Sequence, residues 1–198
     1  GHVAILQYAA LAEAGFFPVE DLKNTKEIGS YLQGHPDVRK TPGIEAGTGS
    51  LGQGLSIGLG MALGLKADSI DRNVYVLIGD GELAEGQIWE AAMAAGFYKA
   101  DNLIAIVDKN NLQANGIVKE RMDSNPLPDK WRSFGWNVLE IDGHNMVEIL
   151  TALDEADLEQ ERPTVIIANT VKGKGISFAE NVVSYHNGML TAETYEQA

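Results

Sequence analysis

An aspartate and an asparagine follow two successive hydrophobic runs of this sequence, and together they could hold a divalent cation. Asp80 ends the run that begins at Val74, and Asn110 follows the next run thirty positions later. This spacing is typical of a β-α-β unit, whose right-handed crossover brings both loops to the carboxyl ends of adjacent parallel strands. Carboxylate and amide oxygens are hard ligands suited to Mg²⁺ or Ca²⁺, and phosphate oxygens can complete the coordination. The sequence therefore predicts a shared metal and phosphate site at one edge of a sheet.

Glycines on either side of Asp80 favour a bound diphosphate. Gly79 and Gly81 have no side chain, so the backbone could approach phosphate oxygens closely. A helix predicted to start near Glu85 would turn its amide groups and its dipole toward the same point. Gly-Asp-Gly alone is more typical of a surface turn, and it matches neither common nucleotide fingerprint. The asparagine after a second strand is what favours a binding site.

The elements that must position these residues are those of a parallel α/β sheet, because short β-rich runs alternate with amphipathic helical patterns. The predicted strands are Val74–Ile78, Leu103–Val107, Trp136–Glu140 and Thr164–Asn169, and the predicted helices are Glu85–Tyr98 and Met146–Leu158. We expect helices on both faces of the sheet. The polar segment Lys119–Lys130, with its two prolines, predicts an excursion around a site.

The longest uncharged stretch, Ala46–Leu65, has the nominal length of a membrane helix but not the composition. Seven of its residues are glycine, so it predicts a glycine-rich loop that leads into a buried helix. Small residues on neighbouring turns would let another backbone pack closely, and those in this stretch are Gly54, Gly58 and the Gly60/Gly64 pair. The chain opens with Gly1-His2 rather than methionine, from which we expect a processed, trimmed or partial chain.

The composition narrows the classes of partner. Lys and Arg number 15 against 28 Asp and Glu, for a net charge of −13. Nucleic acids and anionic membranes attract clustered positive charge, so this acidity argues against binding either one. The absence of cysteine excludes disulfides and thiolate sites and fits a cytoplasmic protein. With 198 residues and no internal repeat, the chain is predicted to form a single domain over 1–198.

Ordered motifs along nearly the whole chain resemble the amino-terminal, thiamine-diphosphate-binding part of transketolase. Gly79–Ala91 and Asp108–Leu112 match the diphosphate and metal motif of that family. Further matches occur at Gly1-His2, Gly34–Pro36, Thr48–Gly54, Asp142–His144 and Lys172–Gly175. The resemblance implies the thiamin diphosphate-binding fold, represented here by its diphosphate-binding module. Nothing in these 198 residues resembles the pyrimidine-binding domain of the family.

The resemblance also implies ligands for the cofactor. The implied metal ligands for Mg²⁺ or Ca²⁺ are Asp80, Asn110 and the Leu112 carbonyl. Gly81 would contact the diphosphate of thiamine diphosphate beside Gly79. Gly49 and Leu51 would offer backbone groups to the aminopyrimidine ring.

Histidines and acidic residues complete the implied site. The histidines that match the substrate channel of the family are His2, His35 and His186. Glu85, together with Glu90, resembles an acidic pair that communicates across a dimer interface, although acids also favour the first turn of a helix for its dipole. His144 has no role that the resemblance supplies. Lys172 and Lys174 are either solvated loop charges or phosphate contacts.

The implied activity is transfer of a two-carbon ketol group from a ketose phosphate to an aldose phosphate, as in the pentose phosphate pathway. Because the cofactor of this family lies between two domains, the chain is expected to be either one subunit of a split transketolase, in a heterotetramer with a pyrimidine-domain partner, or an excised domain. Alternatives are a deoxyxylulose-phosphate synthase, a split transketolase for another sugar, and a catalytically silent assembly subunit. The three channel histidines favour transketolase, and intact Asp80 and Asn110 argue against a silent subunit.

Overall fold

A computed structural model describes residues 3–198 of the chain. The chain divides into two compact units, the first ending at Gln53 and the second running from Gly54 to Ala198. Within the described part of the chain, no helix combines the length and the apolar character that crossing a membrane requires.

The first unit is built around one helix and a long irregular segment. Helix α1 spans Ala4–Glu13, and a 3₁₀ turn spans Val19–Asn24. Its core residues are Ala4, Tyr8, Ala12, Phe17, Leu32 and Ile44. The buried Tyr8 ring keeps its hydroxyl paired, since it donates to the Gln33 carbonyl at 2.8 Å. Residues 25–52 form turns and loops without helix or strand.

The second unit contains a four-stranded sheet, a short hairpin and six helices among the described residues. The strands are β1 Val74–Gly79, β2 Leu103–Lys109, β3 Leu112–Gln113, β4 Gly116–Ile117, β5 Asn137–Asp142 and β6 Thr164–Asn169. The helices are α2 Gln53–Ala67, which starts at the unit boundary, α3 Gly86–Phe97, α4 Val118–Arg121, α5 Leu127–Ser133, α6 Met146–Leu158 and α7 Ala192–Gln197. Two 3₁₀ turns span Gly81–Ala84 and Val183–His186.

The main sheet is parallel throughout, with strand order β1-β2-β6-β5. The four strands match the predicted ones to within two residues at each end. β2 and β6 are the two central strands, and most of their residues are buried, as expected for parallel strands covered on both faces. Gly79 pairs with Asp108, and Lys109 pairs with Asn169, so the carboxyl ends of three strands lie level with one another.

Helices cover both faces of this sheet, as the alternation of residues along β2 shows. Leu103, Ala105 and Val107 pack in one core with buried residues of α2, α3 and α5. Ile104 points to the opposite face and packs with the buried alanines of α6. The predicted α/β sheet with helices on both faces is therefore confirmed.

One glycine of the uncharged stretch is needed for packing within this unit. A Cβ added at Gly58 would lie 2.4 Å from the Cγ2 atom of Val76, so α2 approaches β1 closely enough to require glycine. At Gly60 and Gly64 an added Cβ would meet nothing within 4 Å. Close packing by small residues thus holds at Gly58 and is not needed at the other two.

The segment predicted as a polar excursion is partly helical, because α4 and the start of α5 lie in it. The hairpin of β3 and β4 was not predicted. Asn-Gly is a common hairpin dipeptide, but here Gln113 pairs with Gly116, so the two-residue turn is Ala114-Asn115. Two residues separate this hairpin from the end of β2, so it lies at the carboxyl end of the sheet.

Candidate functional site at the strand ends

The structure brings Asp80 and Asn110 together at the carboxyl ends of β1 and β2. The Asp80 amide donates to the Asp108 carbonyl at 3.1 Å. Its carboxylate oxygen Oδ2 accepts from the Asn111 amide at 2.6 Å. Both side chains are buried, with 3% of Asp80 and 8% of Asn110 exposed. We call Asp80, Asn110 and Leu112 the strand-end site.

The Asp80 carboxylate is in an environment that favours a nearby cation. Burial raises its pKa from 3.8 to about 6, although the backbone N–H groups of Asn111 and Gly81 act in the opposite direction. The charge of Asp108 raises this pKa further, whereas that of Lys172 lowers it. None of the ion pairs found within residues 3–198 involves Asp80. A divalent cation would supply the charge that the buried carboxylate lacks.

Asn110 and Leu112 are held beside one another by a tight local turn. The Leu112 amide donates to the Asn110 Oδ1 atom at 3.0 Å. Asn111 between them takes a left-handed conformation with φ of 63°, which asparagine tolerates better than most residues. Carboxylate, amide and carbonyl oxygens form a hard donor set that suits Mg²⁺ or Ca²⁺. In the described part of the chain, no three His, Cys, Asp or Glu residues cluster as an alternative metal site.

The two glycines beside Asp80 differ in their surroundings. A Cβ added at Gly81 would lie 2.8 Å from the Cβ of Gln113, so the hairpin closes directly over this position. Nothing lies within 4 Å of an added Cβ at Gly79, which leaves room for a ligand. The Gly79 amide, however, donates to Glu82 Oε2 at 3.2 Å, so this N–H group is already used within the chain.

Glu85 and Glu90 are both exposed at the start of α3. Glu85 is the N-cap residue, and its side chain makes no capping hydrogen bond. Along the same helix, Met93 and Phe97 are 55% and 78% exposed. Because residues three, four and seven apart share one side of a helix, Glu90, Met93 and Phe97 form one face. We call this the α3 face.

Three further predicted positions, His186, Lys172 and Lys174, lie in two other segments of the second unit. The 3₁₀ turn that ends at His186 contacts β3, the strand formed by Leu112 and Gln113. Lys172 is half-buried and close enough to influence the Asp80 carboxylate, whereas Lys174 is exposed. His144 anchors the loop that carries both lysines, since its Nε2 atom accepts from the Val171 amide at 2.7 Å. The sequence supplied no role for His144, and the structure gives it this one.

In the first unit, the structure brings His35 and Gly49 together. Gly49 has φ of 136°, and a Cβ added there would lie 2.6 Å from the His35 ring atom Cδ2. The His35 Nδ1 atom pairs with the Gly34 carbonyl oxygen at 3.0 Å. Leu51, two residues after Gly49, is 40% exposed. His2, the remaining predicted site residue, lies outside the described residues.

Comparison with known proteins identifies the family. Residues 1–198 match the family model of transketolase, thiamine diphosphate binding domain. The chain belongs to the transketolase family. Its sheet and flanking helices are accordingly those of a thiamine diphosphate-binding fold, which confirms the prediction from the sequence motifs.

The relatives include named subunits of transketolases. The chain is 48% identical over its full length to the 6-deoxy-6-sulfo-D-fructose transketolase subunit SqwG of Clostridium sp. strain MSTE9, covering 72% of that protein. It is 46% identical over its full length to an apulose-4-phosphate transketolase subunit of Phocaeicola vulgatus, covering 70% of it.

Among solved structures, transketolase of Pichia stipitis in complex with sedoheptulose-7-phosphate superposes with a TM-score of 0.90 at 33% identity. That superposition covers 97% of this chain and 30% of the other. The chain thus corresponds to less than a third of this solved transketolase.

Proposed function

We propose that this chain supplies the diphosphate and metal half of a transketolase active site. In this proposal, Asp80, Asn110 and the Leu112 carbonyl hold Mg²⁺ or Ca²⁺, and the metal holds the diphosphate of thiamine diphosphate. The observation that carries the proposal is the buried hard-oxygen set at adjacent strand ends, in a chain that matches the cofactor-binding domain over its whole length.

The reaction proposed is transfer of a two-carbon ketol group from a ketose phosphate to an aldose phosphate. When bound, thiamine diphosphate supplies the nucleophilic carbon that carries the two-carbon unit. The protein must bind and orient both partners and move protons at substrate hydroxyls. His2, His35 and His186 are the proposed proton-handling groups, because histidine both donates and accepts near neutral pH.

The diphosphate carries negative charge, and the chain offers few positive side chains to balance it, since its net charge is −13. Lys172 is the lysine whose charge already reaches Asp80. We therefore assign to Lys172 a supporting contact with the diphosphate and leave Lys174 as a solvated loop charge. The open space at Gly79 and the Gly81 backbone complete the proposed cradle.

A substrate other than the ordinary pentose and hexose phosphates is a second candidate, within the same chemistry. The two relatives at 48% and 46% identity are named for 6-deoxy-6-sulfo-D-fructose and for apulose-4-phosphate. Both names describe subunits, which also favours a separate partner chain. Together with the name of the sedoheptulose-7-phosphate complex, these names favour transketolase over the deoxyxylulose-phosphate synthase alternative.

The partner proposed is a chain that carries the pyrimidine-binding domain, in a heterotetramer. Half of a cleft leaves the diphosphate open to water and supplies no carboxylate to the aminopyrimidine ring. The α3 face is the surface that we assign to an interface in this assembly, because it exposes Met93 and Phe97 beside an acidic pair.

The decisive test measures two-carbon transfer by the purified chain, with saturating thiamine diphosphate and Mg²⁺, before and after adding a pyrimidine-domain chain. Activity is expected only in the mixture, and the mixture with Asp80→Ala is the inactive control. Parallel assays with fructose-6-phosphate, 6-deoxy-6-sulfo-D-fructose and apulose-4-phosphate identify the substrate. Full turnover by the chain alone would overturn the half-site proposal.

A further inference from the structure

Asp108 lies behind the strand-end site and holds one of its proposed ligands. It occupies the next-to-last position of β2, in register with Gly79 of β1. Its carboxylate oxygen Oδ2 accepts a hydrogen bond from the Asn110 side-chain nitrogen Nδ2 at 3.1 Å. The sequence motif contains Asp108 but assigns it no task.

The direction of the Asn110 amide decides whether this residue can bind a cation. An asparagine side chain presents an oxygen acceptor on one side and an NH₂ donor on the other, and only the oxygen can ligate a hard metal. An ionised carboxylate accepts hydrogen bonds and cannot donate them. Asp108 therefore fixes the NH₂ group of Asn110 on its own side and leaves Oδ1 on the side of Leu112, whose amide donates to it at 3.0 Å.

Asp108 is itself held by a strand on its other side. The Thr170 hydroxyl donates to the second carboxylate oxygen, Oδ1. Thr170 follows β6, and its amide donates to the Lys109 carbonyl at 3.1 Å. A Cβ added at Gly143 would lie 2.5 Å from the Thr170 Cγ2 atom, so the turn after β5 packs tightly against Thr170. The Asp108 carboxylate is thus bonded from both sides, by Asn110 and by Thr170.

We propose that Asp108, held by Thr170, is the positioning residue that sets the amide orientation of Asn110 for metal binding. This inference rests on the proposed function, since it presumes that Asn110 ligates the metal. Asp108 acts through an acceptor oxygen in this arrangement, and not only through its negative charge. A carboxylate that only attracts cations would act through its charge. The acceptor role and the charge role can therefore be separated with variants that keep one and remove the other.

The test compares Mn²⁺ binding, followed by electron paramagnetic resonance in the presence of thiamine diphosphate, among matched variants. Asp108→Ala should weaken Mn²⁺ binding by roughly 10–100-fold, the usual cost of losing a partner behind a metal ligand. Asp108→Asn keeps an acceptor oxygen without the charge, and should stay within about 5-fold of the unmodified chain. Asp101→Ala is the control, because it removes an equal charge just before β2, at the end of that strand away from the site, where Asp101 pairs with Lys66 at 2.7 Å.

An arm without any charge change uses Thr170. Thr170→Val removes the hydroxyl and should weaken Mn²⁺ binding several-fold. Thr170→Ser keeps the hydroxyl and should bind Mn²⁺ like the unmodified chain. Thr164→Val is the matched control, since Thr164 is buried on β6 at the opposite end of the strand. In the metal-free chain, the side-chain NH₂ protons of Asn110 should exchange slowly in ¹⁵N-resolved NMR spectra, and faster in Asp108→Ala and Thr170→Val.

The outcomes separate this inference from the proposed function. If the unmodified chain binds no Mn²⁺ with thiamine diphosphate, the proposed function fails, and the positioning role fails with it. If the unmodified chain binds Mn²⁺ and Asp108→Ala binds equally well, only the positioning role is overturned. Equal weakening in Asp108→Ala and Asp108→Asn, with unchanged NH₂ exchange, would assign Asp108 a role through charge alone and overturn the positioning role.

Discussion

The strand-end site and the loop that carries His35 and Gly49 are built in opposite ways. Asp80 and Asn110 are buried, hydrogen-bonded on several sides, and carried by neighbouring strands of a sheet. His35 is exposed, and its Nδ1 atom pairs with the carbonyl of the adjacent residue, Gly34. Residues 25–52 around it contain no helix or strand.

This difference indicates which half of the chemistry the chain organises by itself. A hard cation needs its ligands at fixed distances, and a packed sheet provides that rigidity at its strand ends. Proton-handling groups on loops gain their final geometry when substrate and partner cover them. We therefore expect metal and cofactor binding to be a property of this chain, and catalysis to be a property of the assembly.

The largest effect expected is from removing the buried carboxylate. Asp80→Ala should abolish Mg²⁺-dependent binding of thiamine diphosphate, measured by calorimetry, because the diphosphate charge then lacks a tightly held metal. Asp129→Ala is the control, since that aspartate lies exposed on α5 in an ion pair with Arg132. Unchanged cofactor affinity in Asp80→Ala would contradict the assignment of metal and cofactor binding to the strand-end site.

The proposed proton-handling histidines should show the reverse behaviour. His35→Ala and His186→Ala are expected to lower kcat/KM of the assembled enzyme by roughly 10²–10⁴, the usual contribution of a general acid or base. Cofactor affinity should stay nearly unchanged, because neither residue is a proposed metal or diphosphate ligand. A parallel loss of cofactor binding would mark these histidines as part of the binding site instead.

A smaller effect should follow from disturbing the packing of His35 without removing it. Gly49→Ala places a Cβ 2.6 Å from the imidazole ring and forces a residue with φ of 136° to carry a side chain. Displacing a reacting group by about 1 Å costs on the order of 10²-fold in rate, so we expect a loss of about 10–100-fold in kcat/KM.

Gly47→Ala is the control for this substitution, since an added Cβ there makes only an ordinary contact, 3.7 Å from the Pro36 carbonyl oxygen. Metal affinity should be unaffected in both variants. If Gly49→Ala is as active as Gly47→Ala, the close approach of Gly49 to His35 has no catalytic consequence.

The sequence predicted the sheet and the position of Asp80 and Asn110 better than it predicted the contacts around them. Strands and helices follow from hydrophobic patterns, and the strand-end location follows from the handedness of one β-α-β unit. The hydrogen bond between Asp108 and Thr170 joins residues 62 positions apart, and no local sequence pattern predicts contact between such distant residues. The anchoring of the lysine loop by His144 also depends on where β5 ends beside β6.

The smallest effect expected is a gain in stability, and it tests whether the strand-end site is strained without its cation. Burial raises the pKa of Asp80 from 3.8 to about 6. Holding this carboxylate in its charged form therefore lowers the free energy of unfolding of the metal-free chain. This loss of stability is absent at low pH, where the group is protonated, and it grows as the pH rises from about 4 to about 6. Asp80→Asn stays neutral throughout and should therefore stabilise the metal-free chain by roughly 1–2 kcal/mol at pH 7.5 and by little at pH 4. Urea unfolding at both pH values measures the difference.

With Mg²⁺ and thiamine diphosphate present, the order of stability should reverse, because only the chain with Asp80 gains binding energy in the folded state. A metal-free Asp80→Asn chain that is less stable than the unmodified one at pH 7.5 would show that the backbone N–H groups of Asn111 and Gly81 already compensate the buried charge.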